Sequence, residues 1–140
     1  MKLKLALAAL TLANLTFAKD VVIQAKDLPQ NSQSFIQKYF SSAKISLVKQ
    51  DIDSFDVYLD DGTELEFTIN GEWKEIDAKY KPIDTSFLNP NAIATIEKMH
   101  PNANIIKVEK EIQGYKIKLN NMIEIYTDAN GNLLGQKIDD

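Results

Sequence analysis

Few side chains in this sequence could do covalent or acid–base chemistry. It has 140 residues, no Cys and one His, so a Ser–His–Asp or Cys–His arrangement would have to use His100. His100 directly precedes Pro101 at the end of a helical pattern, where a helix-end residue is the simpler interpretation. The carboxylates of Glu64 and Glu66 could form an acid–base pair, but a solvated strand face explains them better. The sequence therefore predicts no catalytic residue and favours a protein that is not an enzyme.

Two acidic stretches superficially resemble calcium loops. One contains Asp51, Asp53 and Asp56, and the other is the segment 128–132. Neither has a Gly at the sixth position together with a Glu at the twelfth, as such a loop requires. Tight turns, which favour Asp, Asn and Gly, account for both stretches, and zinc would need more His or Cys. We therefore expect no metal and no other cofactor.

The charge balance argues against nucleic acid as a partner. All sixteen basic residues are Lys, and they stand against 20 Asp and Glu, which gives a net charge of −4. Phosphate neutralisation supplies most of the affinity for nucleic acids, and an acidic chain without Arg is poorly suited to it. The acidic balance instead favours solubility and, weakly, a basic partner.

The first eighteen residues are predicted to be a signal peptide. Lys2 and Lys4 precede the apolar run LALAALTLANLTFA, and Thr16-Phe17-Ala18 fits a small-x-small cleavage site. The run is short for a membrane span, and an uncleaved N-terminal anchor is the less favoured alternative. Cleavage would leave 14 Lys against 20 acidic residues, a net charge near −6. We expect an exported protein, periplasmic or secreted, with no membrane span after cleavage.

The sequence aligns with itself when it is shifted by sixty positions. The stretch LPQNSQSFIQKYFSSAKISLVKQDIDSFDVYLDD from Leu28 then matches LNPNAIATIEKMHPNANIIKVEKEIQGYKIKLNN from Leu88. Apolar positions coincide in order, as a duplicated core requires: Leu28 with Leu88, Ile36 with Ile96, Ile45 with Ile105, Val48 with Val108 and Leu59 with Leu119. This periodicity predicts an internal duplication, with a first repeat over 19–80 and a second over 81–140.

Each half carries the pattern of one helix. The apolar spacing within FIQKYF at 35–40 is helical. In the second half, Asn89 suits a helix cap and Pro90 a first helical residue.

Four strands are predicted after each helix. In the first half Phe55, Val57 and Leu59, and then 65–69, alternate apolar and polar side chains, with Leu65, Phe67 and Ile69 facing inward. Asp61-Gly62 and the Asn-Gly pairs at 70–71 and 130–131 predict tight turns. The predicted fold class is α+β, a tandem duplication of a helix followed by a four-stranded antiparallel sheet, with the helices packed on one sheet face.

Several motifs carry a family resemblance. They are Leu28-Pro29, FIQKYF, AKI at 43–45 and FDVYLDDGTELEFTINGEW in the first half, and HPNANI, GYKIKL and the turn at 128–131 in the second. In these motifs the chain resembles the PepSY-like family of exported bacterial proteins, whose fold is that of the β-lactamase-inhibitor-protein-like group. The resemblance implies helices on one face of an antiparallel sheet and an open face on the other. In the inhibitor proteins after which the group is named, this sheet binds a partner protein.

The outward residues of the predicted strands form the candidate site. If the apolar positions face the helices, the opposite face presents Asp56, Tyr58, Glu64, Glu66, Lys116, Lys118, Glu124 and Tyr126. Cross-strand charge pairing on a wet sheet explains these residues without any function. Tyrosines with complementary charges also suit recognition of a partner.

Two functions follow from these observations. The leading hypothesis is an exported, periplasmic, non-enzymatic binding module that contacts an envelope protein or peptide through this face, with an inhibitor-like role as its narrower form. The alternative is a small-ligand carrier with an apolar pocket between the helices and the sheet.

Overall fold

The computed structural model describes residues 20–139, so the predicted signal peptide lies outside the described residues. A short 3-10 helix over Ala25–Asp27 precedes the first α-helix. The helices are α1 (Gln30–Tyr39) and α2 (Pro90–Met99). The strands are β1 (Val21–Ile23), β2 (Ile45–Gln50), β3 (Ser54–Leu59), β4 (Glu64–Thr68), β5 (Trp73–Asp77), β6 (Ile105–Lys110), β7 (Gly114–Leu119), β8 (Ile123–Asp128) and β9 (Leu133–Ile138).

The predicted fold class, a tandem pair of helix plus four-stranded sheet, was wrong. The nine strands form one antiparallel sheet in the order β1 to β9, and β5 pairs with β6 through Ile76 and Val108 across the middle. A further strand, β1, pairs with β2 at the edge. Two separate sheets would leave the main-chain groups of β5 and β6 unpaired at their edges, and the β5–β6 pairing satisfies them.

Strand pairing in β6–β9 follows the same register as in β2–β5. Ile45 faces Leu59 in the first half, and Ile105 faces Leu119 in the second. Val57 faces Leu65, and Ile117 faces Ile125. Each pair of partners recurs sixty residues later, including the irregularity near the start of β2 and β6. The duplication of the sequence stays a prediction, and this register agrees with it.

One sheet face packs against both helices. Its central row of cross-strand neighbours is at most 2% exposed and consists of Val48, Val57, Leu65, Ile76, Val108, Ile117 and Ile125. Ile36 of α1 and Ala92 and Ile96 of α2 belong to the same buried cluster. Burial of these side chains from water is the main stabilising contribution to the fold.

The predicted helix start and tight turns are confirmed. The side chain of Asn89 accepts a hydrogen bond from the Asn91 amide at 2.9 Å, and Pro90 is the first residue of α2. Gly62, Gly71 and Gly131 each have a positive φ. The predicted inward position of Ile69 was wrong, because the strand ends at Thr68 and Ile69 is 45% exposed in the turn.

The two Asn-Gly turns dock on the first turns of the helices. Ser32 of α1 donates a buried hydrogen bond to the Gly71 carbonyl at 2.8 Å. In the second half, Asn91 of α2 donates to the Asn130 carbonyl at 3.2 Å, and Thr95 donates to the Gly131 carbonyl at 3.4 Å. Each turn therefore joins its helix to its part of the sheet.

Candidate binding face

The sheet face opposite the helices carries two rows of polar side chains, which we call the open face. Cross-strand pairing places Lys49, Asp56, Glu66, Glu75, Glu109, Lys116 and Tyr126 in the first row. The second row consists of Tyr58, Glu64, Asp77, Lys107, Lys118, Glu124 and Lys137. The eight residues singled out in the sequence all lie in these two rows.

Sequence reasoning missed the middle of the open face. Glu75 and Asp77 on β5 lie beside Glu109 and Lys107 on β6. Alternating polarity along each strand was the available signal. It could not show that these two strands are neighbours, because they come from different halves of the chain.

The acidic half of the open face consists of Asp56, Tyr58, Glu64, Glu66 and Glu75, which line a shallow depression of about 40 Å³. Lysines pair with its carboxylates from the rim: Lys74 lies 3.3 Å from Glu66 and Lys79 lies 3.4 Å from Glu64. Asp56 forms no ion pair within the described residues. Burial, and then the nearby Glu66 carboxylate, raise the pKa of Asp56 above its usual value.

The paired half of the open face consists of Lys107, Glu109, Lys116, Lys118, Glu124 and Tyr126. The Lys116 ammonium lies 3.5 Å from Glu109 and 3.6 Å from Glu124. Tyr126 donates a hydrogen bond to Glu124 at 2.9 Å, and Glu124 itself is only 5% exposed. Burial alone would lower the pKa of Lys116, but the carboxylates of Glu109 and Glu124 outweigh it and raise the pKa.

One further ion pair connects the two halves of the open face, and another lies at its far edge. Lys107 lies 3.1 Å from Glu75 of the acidic half, across the β5–β6 boundary. Lys118 lies 2.7 Å from Asp139, just beyond β9. The charges of the paired half are therefore compensated within the chain. In the acidic half, Asp56 forms no ion pair among residues 20–139, although Lys49 is its cross-strand neighbour.

We expect Asp56→Asn to stabilise the protein at neutral pH. The folded state raises the pKa of Asp56, so the ionised carboxylate destabilises the fold, and stability falls as the pH rises from below 3.8 through the folded-state value. The variant should therefore unfold at a higher temperature than the parent at pH 7, and the difference should shrink near pH 4, as measured by thermal unfolding at both pH values.

Asp128→Asn is the matched control, with the opposite sign. Backbone hydrogen bonds, first from the Asn132 amide at 2.8 Å and also from the Asn130 amide at 3.0 Å, lower the pKa of Asp128. Its ionised form therefore stabilises the fold above pH 3.8, and its replacement should lower the melting temperature at pH 7. A destabilised Asp56→Asn protein at pH 7 would contradict the proposed repulsion.

The single histidine lies beside a glutamine side chain. His100 follows the end of α2, and its Nε2 lies 2.9 Å from the side-chain oxygen of Gln136. Within residues 20–139, no group of three or more His, Asp or Glu side chains is placed to hold a metal ion. The helices of this part of the chain are also too short and too polar to cross a membrane.

An apolar groove lies between α1 and the start of β2. It has a volume of about 590 Å³ and is open to solvent along one side. Ile36 of α1 and Phe40, just after the helix, line one side of it, and Ala43 and Ile45, at and just before the start of β2, line the other. This groove is the place in the described chain that best matches the predicted pocket between helix and sheet.

Comparison with known families gives a match over more than half of the chain. A family model described as "Putative beta-lactamase-inhibitor-like, PepSY-like" matches residues 53–135. None of the curated proteins matches the chain.

Several solved structures are similar over most of the chain. A "putative periplasmic protein of unknown function" from Bacteroides vulgatus is 33% identical, with a TM-score of 0.79, and the match covers 84% of this chain and 98% of that one. A "putative calcium-regulated periplasmic protein" from Bacteroides thetaiotaomicron is 30% identical, with a TM-score of 0.81 and coverage of 84% and 96%. A second Bacteroides vulgatus protein, from the DUF2874 family, is 32% identical, with a TM-score of 0.79 and coverage of 86% and 98%.

Proposed function

The chain belongs to the PepSY-like family, and from that premise we propose that it is an exported, periplasmic, non-enzymatic module that binds a protein or peptide through its open face. Relatives described as periplasmic support the location. The apolar run before Ala18 supports export. Inhibition of a partner enzyme is the narrower form of the same proposal and rests on the family description alone.

One observation carries this proposal. The two sheet faces differ: the helices cover one face, which is apolar, and the other carries two rows of charged and tyrosine side chains across β2 to β9. Tyr58 and Tyr126 lie near opposite ends of these rows. Aromatic side chains surrounded by charges are favoured at recognition surfaces, where the ring gives contact area and the charges give register.

A positively charged partner should gain more binding energy at the acidic half of the open face than at the paired half. In the paired half, a partner would have to displace ion pairs that already exist, such as those of Lys116 with Glu109 and Glu124. At Asp56 an incoming cation meets an ionised carboxylate beside Glu66, which is energetically unfavourable until a positive charge approaches. The partner is therefore expected to present lysine or arginine to this half.

The proposal is tested by capture from the cell envelope. Immobilised protein should retain a specific partner, identified by mass spectrometry. The triple variant Tyr58→Ala, Glu66→Ala, Tyr126→Ala should lose at least about tenfold in affinity, because tyrosines are enriched among the few interface residues whose truncation costs more than about 1 kcal/mol. Binding should also weaken with salt, since the acidic half contributes by charge.

A matched triple variant on the helical side is the control. Gln37→Ala, Glu97→Ala and Lys98→Ala change exposed residues of α1 and α2 and should leave capture unchanged. Undiminished capture by the open-face variant would rule out the open face as the binding surface. Loss of capture in both variants would place the contact elsewhere.

The apolar groove at α1 supports the second candidate, a small-ligand carrier. An apolar ligand bound beside Phe40 and Ile45 should raise the melting temperature, because binding to the native state alone stabilises it. Narrowing the groove with Ala43→Phe should abolish that shift while the capture of a protein partner persists. A thermal-shift screen with apolar envelope metabolites that finds no ligand counts against this candidate.

A further inference from the structure

The β9 edge of the sheet is exposed and apolar. Leu133, Leu134 and Ile138 are 42%, 64% and 69% exposed. Within residues 20–139, β9 pairs with β8 on one side and with no strand on the other. Proteins normally protect such an edge with charges, proline, a bulge or a covering segment. β9, with the sequence LLGQKI, carries a single charge and no proline, and its bulge lies at its start, next to Leu133, so that residues 135–138 form a regular edge.

The main-chain groups at this edge can be assigned from the β8–β9 register. The Asp139 amide donates to the Met122 carbonyl at 2.7 Å, and Ile123 faces Ile138 in the same register. Because antiparallel residues alternate between bonded and non-bonded pairs, the N–H and C=O groups of Gln136 and Ile138 point away from β8. These groups are available to another strand.

The corresponding edge in the first half of the chain, that of β5, is paired with a strand. Gln136 corresponds to Ile76, sixty residues earlier, because Gln136 pairs with Ile125 and Ile76 pairs with Leu65. By the same offset, Ile138 corresponds to Ala78, just after β5. In the first half these positions bind β6: Ile76 faces Val108, and the Ala78 amide donates to the Ile106 carbonyl at 2.9 Å. The β9 edge therefore repeats the geometry of an edge that is filled by an antiparallel strand elsewhere in the same sheet.

We propose that β9 pairs with β9 of a second copy of this chain, antiparallel and about a two-fold axis at Gln136. In this register the Gln136 residues of the two copies face each other. Leu134 is the unpaired residue of a bulge in β9, so the regular pairing involves residues 135–138. Ile138, which is 69% exposed, is then partly covered by β9 of the other copy. No like charges are placed directly opposite, since Lys137 faces Gly135.

The second free edge of the sheet is less suited to this pairing. β1 has three residues, Val21–Ile23, half the length of β9. A β9–β1 contact would also join different surfaces and so lead to open-ended assembly, whereas β9–β9 closes as a dimer. The two open faces then lie side by side on the same side of a continuous sheet.

Light scattering and sedimentation of the protein purified after export test the proposal. From about 1 µM to about 1 mM, the measured mass should rise from one chain to two and stop there. Gln136→Pro removes an N–H that points outward, and a proline is tolerated at such an edge position. It should therefore weaken dimerisation more than about tenfold.

Ile138→Lys is the second disruptive variant, and Val22→Lys on β1 is the control. Ile138→Lys should also yield monomers, with the melting temperature of dilute protein unchanged. Gln136→Pro also removes the contact of Gln136 with His100, so this variant is assessed by its mass alone. Val22→Lys should leave the dimer intact. A wild-type protein that stays monomeric at about 1 mM, dimers that persist in both β9 variants, or assembly that Val22→Lys abolishes would each overturn the proposal.

Discussion

Replacing Gly131 with Ala is expected to lower the free energy of unfolding by about 3 kcal/mol or more, combining backbone strain with overpacking. Gly131 has a φ of +84°, a conformation that L side chains rarely adopt. Its added Cβ would also overlap the Ala92 amide nitrogen and lie 2.9 Å from the Asn91 Cβ, both in the first turn of α2. The helix backbone cannot yield without breaking the hydrogen bonds that dock the turn on α2.

Substitutions at two other glycines distinguish the cost of backbone strain from the cost of steric overlap. A Cβ on Gly62 (φ +92°) meets nothing within 4 Å, so Gly62→Ala should cost only the strain, about 1–2 kcal/mol. Gly135 has neither a positive φ nor a neighbour within 4 Å, and Gly135→Ala should be nearly neutral. Urea unfolding of the three variants should rank them in this order. Equal costs for Gly131→Ala and Gly62→Ala would show that the helix start accommodates the Cβ.

Phe67→Ala is expected to cost about 3–5 kcal/mol, the usual range for a buried aromatic side chain. Phe67 is fully buried on β4, and its ring packs edge-to-face on Phe35 of α1 with the centroids 5.8 Å apart. Truncation would leave a cavity where helix and sheet meet. Tyr80→Ala is the control: Tyr80 is 92% exposed and its loss should change stability by less than about 0.5 kcal/mol.

Urea or thermal unfolding measures both variants. A loss below about 1 kcal/mol for Phe67→Ala would mean that the surrounding aromatic side chains collapse into the space. The residue sixty positions later is Thr127, also buried at 2% exposure. Phe67→Thr should therefore also lower stability. The residues around Thr127 are packed to fit its smaller side chain, whereas those around Phe67 are not, so a threonine there would leave a cavity.

Local features of the fold could be predicted from the sequence. Period-two alternation marks β3 and β4 because each strand buries one side, and Asn-Gly pairs mark the turns because glycine is favoured at positive φ. The cap at Asn89 follows from the hydrogen-bonding capacity of its side chain. These features depend on neighbours a few residues apart in the chain.

The remaining features depend on contacts between distant segments. The pairing of β5 with β6 joins the halves into one sheet, and alternation along each strand carries no information about it. Met122 has a φ of +70° where the first half has Gly62, because the hairpin register imposes the turn on whatever residue is present. The burial of Glu124 depends likewise on Lys116 and Tyr126 of the assembled face.

The continuous sheet sets the size of the cooperative folding unit. Ile76 and Val108, which face each other across the β5–β6 boundary, are both fully buried. The ring of Phe87, in the loop between β5 and α2, has its centroid 5.2 Å from the ring centroids of Trp73 and Phe35. A fragment ending before the second half would expose this apolar row and leave the β5 edge unpaired. We therefore expect each predicted repeat to fold only as part of the continuous sheet, so that an ancestor made of one copy would have needed a second copy to complete its sheet.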